Sequence, residues 1–150
     1  IAVGAGLTNV TVEGANGGLH TNYEGKAQAA VDALTEKGYD FAYIHVEAPD
    51  EMGHQGSAER KIQAIQYLDA RVIRPVKEGL ERAGEDFRML IMPDHPTPVR
   101  IRTHTADPVP YLLYDSTKKE SHTWTYCEAE AAGSGRVFSR GYELMAYLLR

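Results

Sequence analysis

Three short apolar runs constrain this chain more than any other feature: "YDFAYIHVE" (residues 39–47), "FRMLIMP" (87–93) and "PVPYLLYD" (108–115). Each is rich in aromatic and branched residues and too short for a buried helix, so each reads as a strand. Pro49 ends the first. Before it, Ala27, Ala30, Val31 and Leu34 recur at helical spacing between Glu24 and Lys37, with Gly38 as the expected C-terminal cap. After it, Ser57 is placed to cap a long helix with Ile62, Ile65, Val72, Val76 and Leu80 on its apolar face. Pro75 lies inside that helix and predicts a kink or a division. A last amphipathic stretch runs from Tyr142 to Leu149, and Thr8–Val12 is a candidate short strand near the start. Helices alternating with mostly unbroken apolar strands predict an α/β fold with a parallel or mixed sheet covered on both faces. Nothing in the chain reads as a repeat or a linker, and 150 residues suit one domain.

The polar residues that matter follow the strands. Asp50 and His54 come just after the first, Asp94 and His95 just after the second, which is where open α/β sheets bind ligands. Four positions apart on a helical turn, Asp50 and His54 project to one side and can share an ion. Gly53 between them permits close approach of a ligand to the backbone. Asp94 and His95 would diverge on a regular strand, yet can serve one ion on a strand-to-loop bend. His104, in a Thr-flanked loop, offers a further nitrogen. Mixed carboxylate and imidazole donors suit Mn²⁺ or Zn²⁺ better than Ca²⁺, with Mg²⁺ less natural beside nitrogen. Two such ions ~3.5–4 Å apart clamp the attacking and leaving oxygens of a phosphoryl group. The plainer alternatives are surface polarity for Asp-x-x-x-His and an ordinary turn for Asp-His-Pro; spacing alone names no reaction. His45 reads as a core histidine, Lys26 by itself as a solvated lysine and Cys127 as a small buried hydrophobe. His20 and His122 carry no signal.

Composition removes several classes. A net charge of -5 without a basic cluster argues against a nucleic-acid partner, since Arg100/Arg102 and Lys118-Lys119 are too small to form a patch. No apolar run approaches the ~20 residues that span a bilayer, and the start has no signal-peptide pattern. A single cysteine fits a reducing compartment, so a cytoplasmic location is expected. Ile1 opens without a methionine inside a glycine-rich passage, as a piece of something longer would.

Four stretches carry a resemblance: "TNYEGKA", "YIHVEAPDEMGHQG", "MPDHPTPVRIRTHTADPVPYLLY" and "GYELM". In this order they closely resemble the archaeal type of cofactor-independent phosphoglycerate mutases, metalloenzymes of the alkaline phosphatase superfamily. The resemblance covers nearly the whole chain and corresponds to the C-terminal part of the family's proteins. It implies an alkaline-phosphatase-like three-layer sandwich, with a mostly parallel sheet between helices, incomplete because the N-terminal part is absent. Residues 1–150 would then be the C-terminal part of one metal-binding domain.

Residue by residue, Asp50 and His54 match the family's Pro-Asp-x-x-Gly-His motif, and His104 its His-Thr-x-x-Pro-Val-Pro motif. Together these resemble the ligands of one metal. Asp94 and His95 match the Asp-His pair of the other. Lys26 is similar to the lysine that contacts the transferred phosphoryl group. The implied cofactors are two divalent ions, Mn²⁺ foremost, with Zn²⁺, Co²⁺ or Mg²⁺ as alternatives, and no 2,3-bisphosphoglycerate. The implied activity is interconversion of 3-phosphoglycerate and 2-phosphoglycerate through a phosphorylated serine or threonine. The family's opening Asp-Gly motif, nucleophile and inserted substrate domain precede this segment. Ser57, Thr97 and Thr103 lie near the motifs but do not match the nucleophile's context. By itself the segment is therefore expected to be inactive and to bind metal weakly. An incomplete sheet also leaves an edge that a second copy can cover, as in a homo-oligomer. The competing readings are a phosphopentomutase, phosphatase or phosphodiesterase of the same superfamily, and a non-catalytic metal-binding domain.

Overall fold

A computed structural model describes residues 2–118, 121 and 123–150. Ile1, Lys119 and His122, mentioned above, lie outside the described residues. The chain divides into two compact units, residues 1–85 with 97–103, and residues 86–96 with 104–150.

The first unit is helical. Helix α1 (Tyr23–Thr35) starts where the Asn22 side chain accepts from the Gly25 amide, and Gly38 beyond its end takes φ 71° as a cap. Its buried residues are Tyr23 and three alanines, Ala27, Ala30 and Ala33. Such small side chains let α4 (Arg74–Ala83) approach closely, and Val72, Val76 and Leu80 are buried in the same unit. Helix α2 (Ala48–His54) has Pro49 in its first turn, where the missing amide costs nothing. Ser57 caps α3 (Ala58–Leu68) as expected, its hydroxyl accepting from the Arg60 amide at 3.3 Å. The expected division of the long helix is a five-residue π-turn, Asp69–Ile73, just before Pro75. A wider turn there spares the chain a clash between the proline ring and the preceding carbonyl. From this turn Arg71 reaches α1, pairing with Glu24 at 2.5 Å and stacking 4.9 Å over the rings of both Tyr23 and Tyr67. Glu24 is held below its ordinary pKa by the Arg71 hydrogen bond, and burial raises that of Tyr23.

Three expectations for this unit need correction. Ile62 and Ile65 are not on the buried face; they are 58% and 50% exposed, because the π-turn shifts the register of the helical face between α3 and α4. Residues 39–47 form no strand among the described residues. Tyr43, His45 and Glu47 are exposed while Ile44 and Val46 are less so, which is strand-like alternation without a ladder partner. Thr8–Val12 likewise lies outside any regular element.

The second unit holds β1 (Arg88–Ile91) and β2 (Leu112–Asp115), with α5 (Glu128–Gly133) and α6 (Glu143–Leu148). Both strands fall inside the apolar runs predicted for them. Their pairing is antiparallel, Arg88 opposite Asp115 and Ile91 opposite Leu112, in place of the mostly parallel sheet expected. The connection from Met92 to Tyr111 contains no helix, and parallel neighbours need a crossover, usually helical. Arg88 pairs with Asp115 at 3.1 Å across the ladder. Hydrogen bonds led by the Thr117 hydroxyl hold the Asp115 carboxyl well below the usual range. Phe138 packs between Tyr111 and Tyr147, with ring centroids 5.5 and 5.4 Å away. Among the described residues, no helix is long and apolar enough to cross a membrane.

Candidate metal centre

Helix α2 brings Asp50 and His54 together as their spacing predicts, His54 Nε2 lying 3.4 Å from Asp50 Oδ2. The side chains are 30% and 36% exposed, so the pair is open to solvent. Each residue is also held from behind by the segment 97–103. The Thr97 hydroxyl donates to Asp50 Oδ1 at 2.5 Å. His54 Nδ1 lies 2.9 Å from the Arg102 carbonyl oxygen. A carbonyl only accepts, so this bond puts the proton on Nδ1 and turns Nε2 toward the carboxylate. Metal-holding histidines are commonly fixed in this way, one nitrogen on a carbonyl and the other on the ion.

Two glycines make the arrangement sterically accessible. A Cβ on Gly53 would sit 2.5 Å from the Thr97 carbonyl oxygen. At Gly53 the chain's own backbone makes such a close approach. Gly56 takes φ 72° as the chain leaves α2, and a Cβ there would collide with the Arg102 guanidinium. Lys61, one turn into α3, completes the support by donating to the Thr97 carbonyl at 2.6 Å. Thr97 is 3% exposed. Sequence reasoning passed over Thr97, Lys61 and Arg102 in these roles. The available signal was a threonine set between two prolines directly after Asp94-His95.

Lys26, on the first turn of α1, donates to the His45 carbonyl at 2.7 Å, two residues before the N-cap of α2. His45 is not a core histidine. Its side chain is 49% exposed, stacks on Tyr43 with centroids 6.1 Å apart and lies 3.9 Å from Glu47. An imidazole there keeps its hydration, so no buried partner is required.

In the second unit the Asp94-His95 pair sits on a bend beyond β1, as the alternative to a regular strand required. His95 Nε2 lies 3.4 Å from Asp94 Oδ2, and the His95 amide donates to Asp94 Oδ1 at 3.1 Å. The bend cancels the divergence of adjacent side chains. His104 packs against His95, ring centroids 3.7 Å apart. In the same unit the Tyr126 hydroxyl donates to the Pro110 carbonyl at 3.0 Å. Tyr126 is 44% exposed, and partial burial pushes its pKa up to about 12.

Carboxylates beside imidazoles suit a divalent transition ion, and His54 has in addition its second nitrogen engaged by a carbonyl. The sequence matches the Metalloenzyme superfamily over residues 3–138, and the chain belongs to that superfamily. More particularly, it is 47% identical over 150 residues to a probable 2,3-bisphosphoglycerate-independent phosphoglycerate mutase of Geobacter sulfurreducens, covering 99% of this chain and 37% of that protein. It is 44% identical over 137 residues to a 2,3-bisphosphoglycerate-independent phosphoglycerate mutase of Methanosarcina mazei, covering 91% of this chain and 34% of the relative. A solved structure of a Pyrococcus horikoshii protein superposes with a TM-score of 0.72 at 32% identity, over 85% of this chain and 37% of that one. The chain thus spans about a third of the length of these two relatives.

Proposed function

We propose that this chain supplies the metal-holding part of a 2,3-bisphosphoglycerate-independent phosphoglycerate mutase, a cytoplasmic enzyme of glycolysis and gluconeogenesis. The fold of the whole enzyme is then the three-layer alkaline-phosphatase-like sandwich. The observation that carries the reading is the Asp50–His54 pair on α2, held by Thr97 and by the Arg102 carbonyl, in a chain of 44–47% identity to such mutases. Asp50, His54 and His104 are the proposed ligands of one divalent ion, and Asp94 and His95 belong to the other, Mn²⁺ in both. Bound there, the ions neutralise charge on the phosphoryl group in transfer.

The chain's own residues hold donors in place and present charge. Lys26 gives a phosphate oxygen a compact cation, which is the contact it is proposed to make during transfer. The nucleophilic serine or threonine lies outside these 150 residues. The Thr97 hydroxyl, which donates to Asp50, is proposed instead to position that carboxylate.

The test is an assay of the whole protein with Mn²⁺ and 3-phosphoglycerate, without 2,3-bisphosphoglycerate. Formation of 2-phosphoglycerate, lost in Asp50→Asn and in His54→Ala, is the expected result. Turnover of pentose phosphates instead would reassign the enzyme within its superfamily.

A further inference from the structure

We propose that Thr97 and Lys61 are positioning residues for the Asp50–His54 pair, acting as a relay from α3 that selects which Asp50 oxygen faces the imidazole. The inference rests on the reading that Asp50 and His54 hold a divalent ion. A carboxylate rotates in a broad, two-fold well, so nothing intrinsic to Asp50 decides how its oxygens are presented. The Thr97 hydroxyl decides it by donating to Oδ1, which leaves Oδ2 as the oxygen 3.4 Å from His54 Nε2.

Thr97 can do this because it is itself fixed. It is buried, its carbonyl is held by Lys61 Nζ at 2.6 Å, and that carbonyl rests against the Gly53 backbone on α2. The turn that follows is closed by the Ile101 and Arg102 amides, both donating to the Pro98 carbonyl at 3.1 and 3.0 Å. One short segment thereby grips both residues of the pair, Asp50 through a side chain and His54 through a backbone carbonyl. The grip on His54 comes from a main-chain carbonyl and offers no side-chain donor to delete, whereas the Thr97 hydroxyl can be removed directly. Outer partners of metal ligands typically change affinity by ~10–100-fold when lost.

The experiment is Mn²⁺ affinity of the protein, read from the disappearance of the free-ion paramagnetic resonance signal. It compares the unmodified protein with Asp50→Asn, Thr97→Val, Thr97→Ser and Lys61→Met, each checked for folding by circular dichroism. Thr97→Val keeps the shape and removes the donor, and is expected to bind at least about tenfold more weakly. Thr97→Ser keeps the donor and should restore affinity close to that of the unmodified protein. Lys61→Met is expected to weaken binding less than Thr97→Val, because it loosens Thr97 without removing the hydroxyl. If Thr97→Val fails to fold, Lys61→Met decides, and unchanged affinity in it overturns the relay. Normal binding by a folded Thr97→Val, or equal weakening in Thr97→Ser, also overturns it while Asp50→Asn still loses the ion. Normal binding by Asp50→Asn would instead sink the metal reading, and this inference with it.

Discussion

His54 Nδ1 lies 2.9 Å from the carbonyl oxygen of Arg102, the one non-glycine residue with positive φ among the described residues, at 56°. A left-handed backbone at a residue with a Cβ costs about 1–2 kcal/mol. At Arg102 that conformation accompanies a carbonyl aimed at the histidine. Arg102→Gly should therefore keep the carbonyl in place, with an unfolding free energy within about 1 kcal/mol of the unmodified protein. Arg102→Val, whose branched side chain resists positive φ, should lose about 1–2 kcal/mol and weaken Mn²⁺ binding. Urea unfolding and ion titration of the two variants check the contrast. Equal behaviour of glycine and valine would detach the backbone conformation from the site.

Gly53→Ala tests the approach of segment 97–103 to α2. The new methyl would meet the Thr97 carbonyl, which is backbone and cannot swing aside. A loss of roughly 1–3 kcal/mol in unfolding free energy is expected, together with weaker Mn²⁺ binding as the Asp50–Thr97 bond is stretched. A variant as stable as the unmodified protein would show that the two segments do not pack this closely.

Lys26→Ala tests the proposed phosphate contact in the whole enzyme. Turnover is expected to fall by on the order of 10²-fold, the scale for losing one stabilising donor, while Mn²⁺ affinity stays unchanged. Unaltered turnover would leave Lys26 only its hydrogen bond to the His45 carbonyl.

Tyr126 predicts an alkaline limb in stability. Its folded pKa is raised to about 12 from an ordinary value of 10.0, chiefly by burial. The protonated form is thus favoured by folding, so the contribution is fully present below pH 10 and is lost as pH rises through about 12. Ionisation also removes the proton that Tyr126 donates to the Pro110 carbonyl. Denaturant unfolding between pH 9 and 12 should fall more steeply for the unmodified protein than for Tyr126→Phe. Parallel curves would show that folding does not raise the Tyr126 pKa.

The sequence by itself determined the local elements whose signals are short in range. Ser57 caps α3, Gly38 ends α1, Pro75 follows a break in the long helix, and both strands lie inside their apolar runs. It also determined that Asp50 and His54 share a helical face, because a spacing of four is a property of one turn. Tertiary structure decided what depends on partners distant in the chain. Residues 39–47 have a strand's alternation but pair with no strand among the described residues, and the direction of β2 against β1 follows from a connection without a helix. The grip on the Asp50–His54 pair belongs to the same class. Thr97 meets Asp50 across 47 residues and Arg102 meets His54 across 48, and spacing along the chain carries no information about a contact that only packing creates.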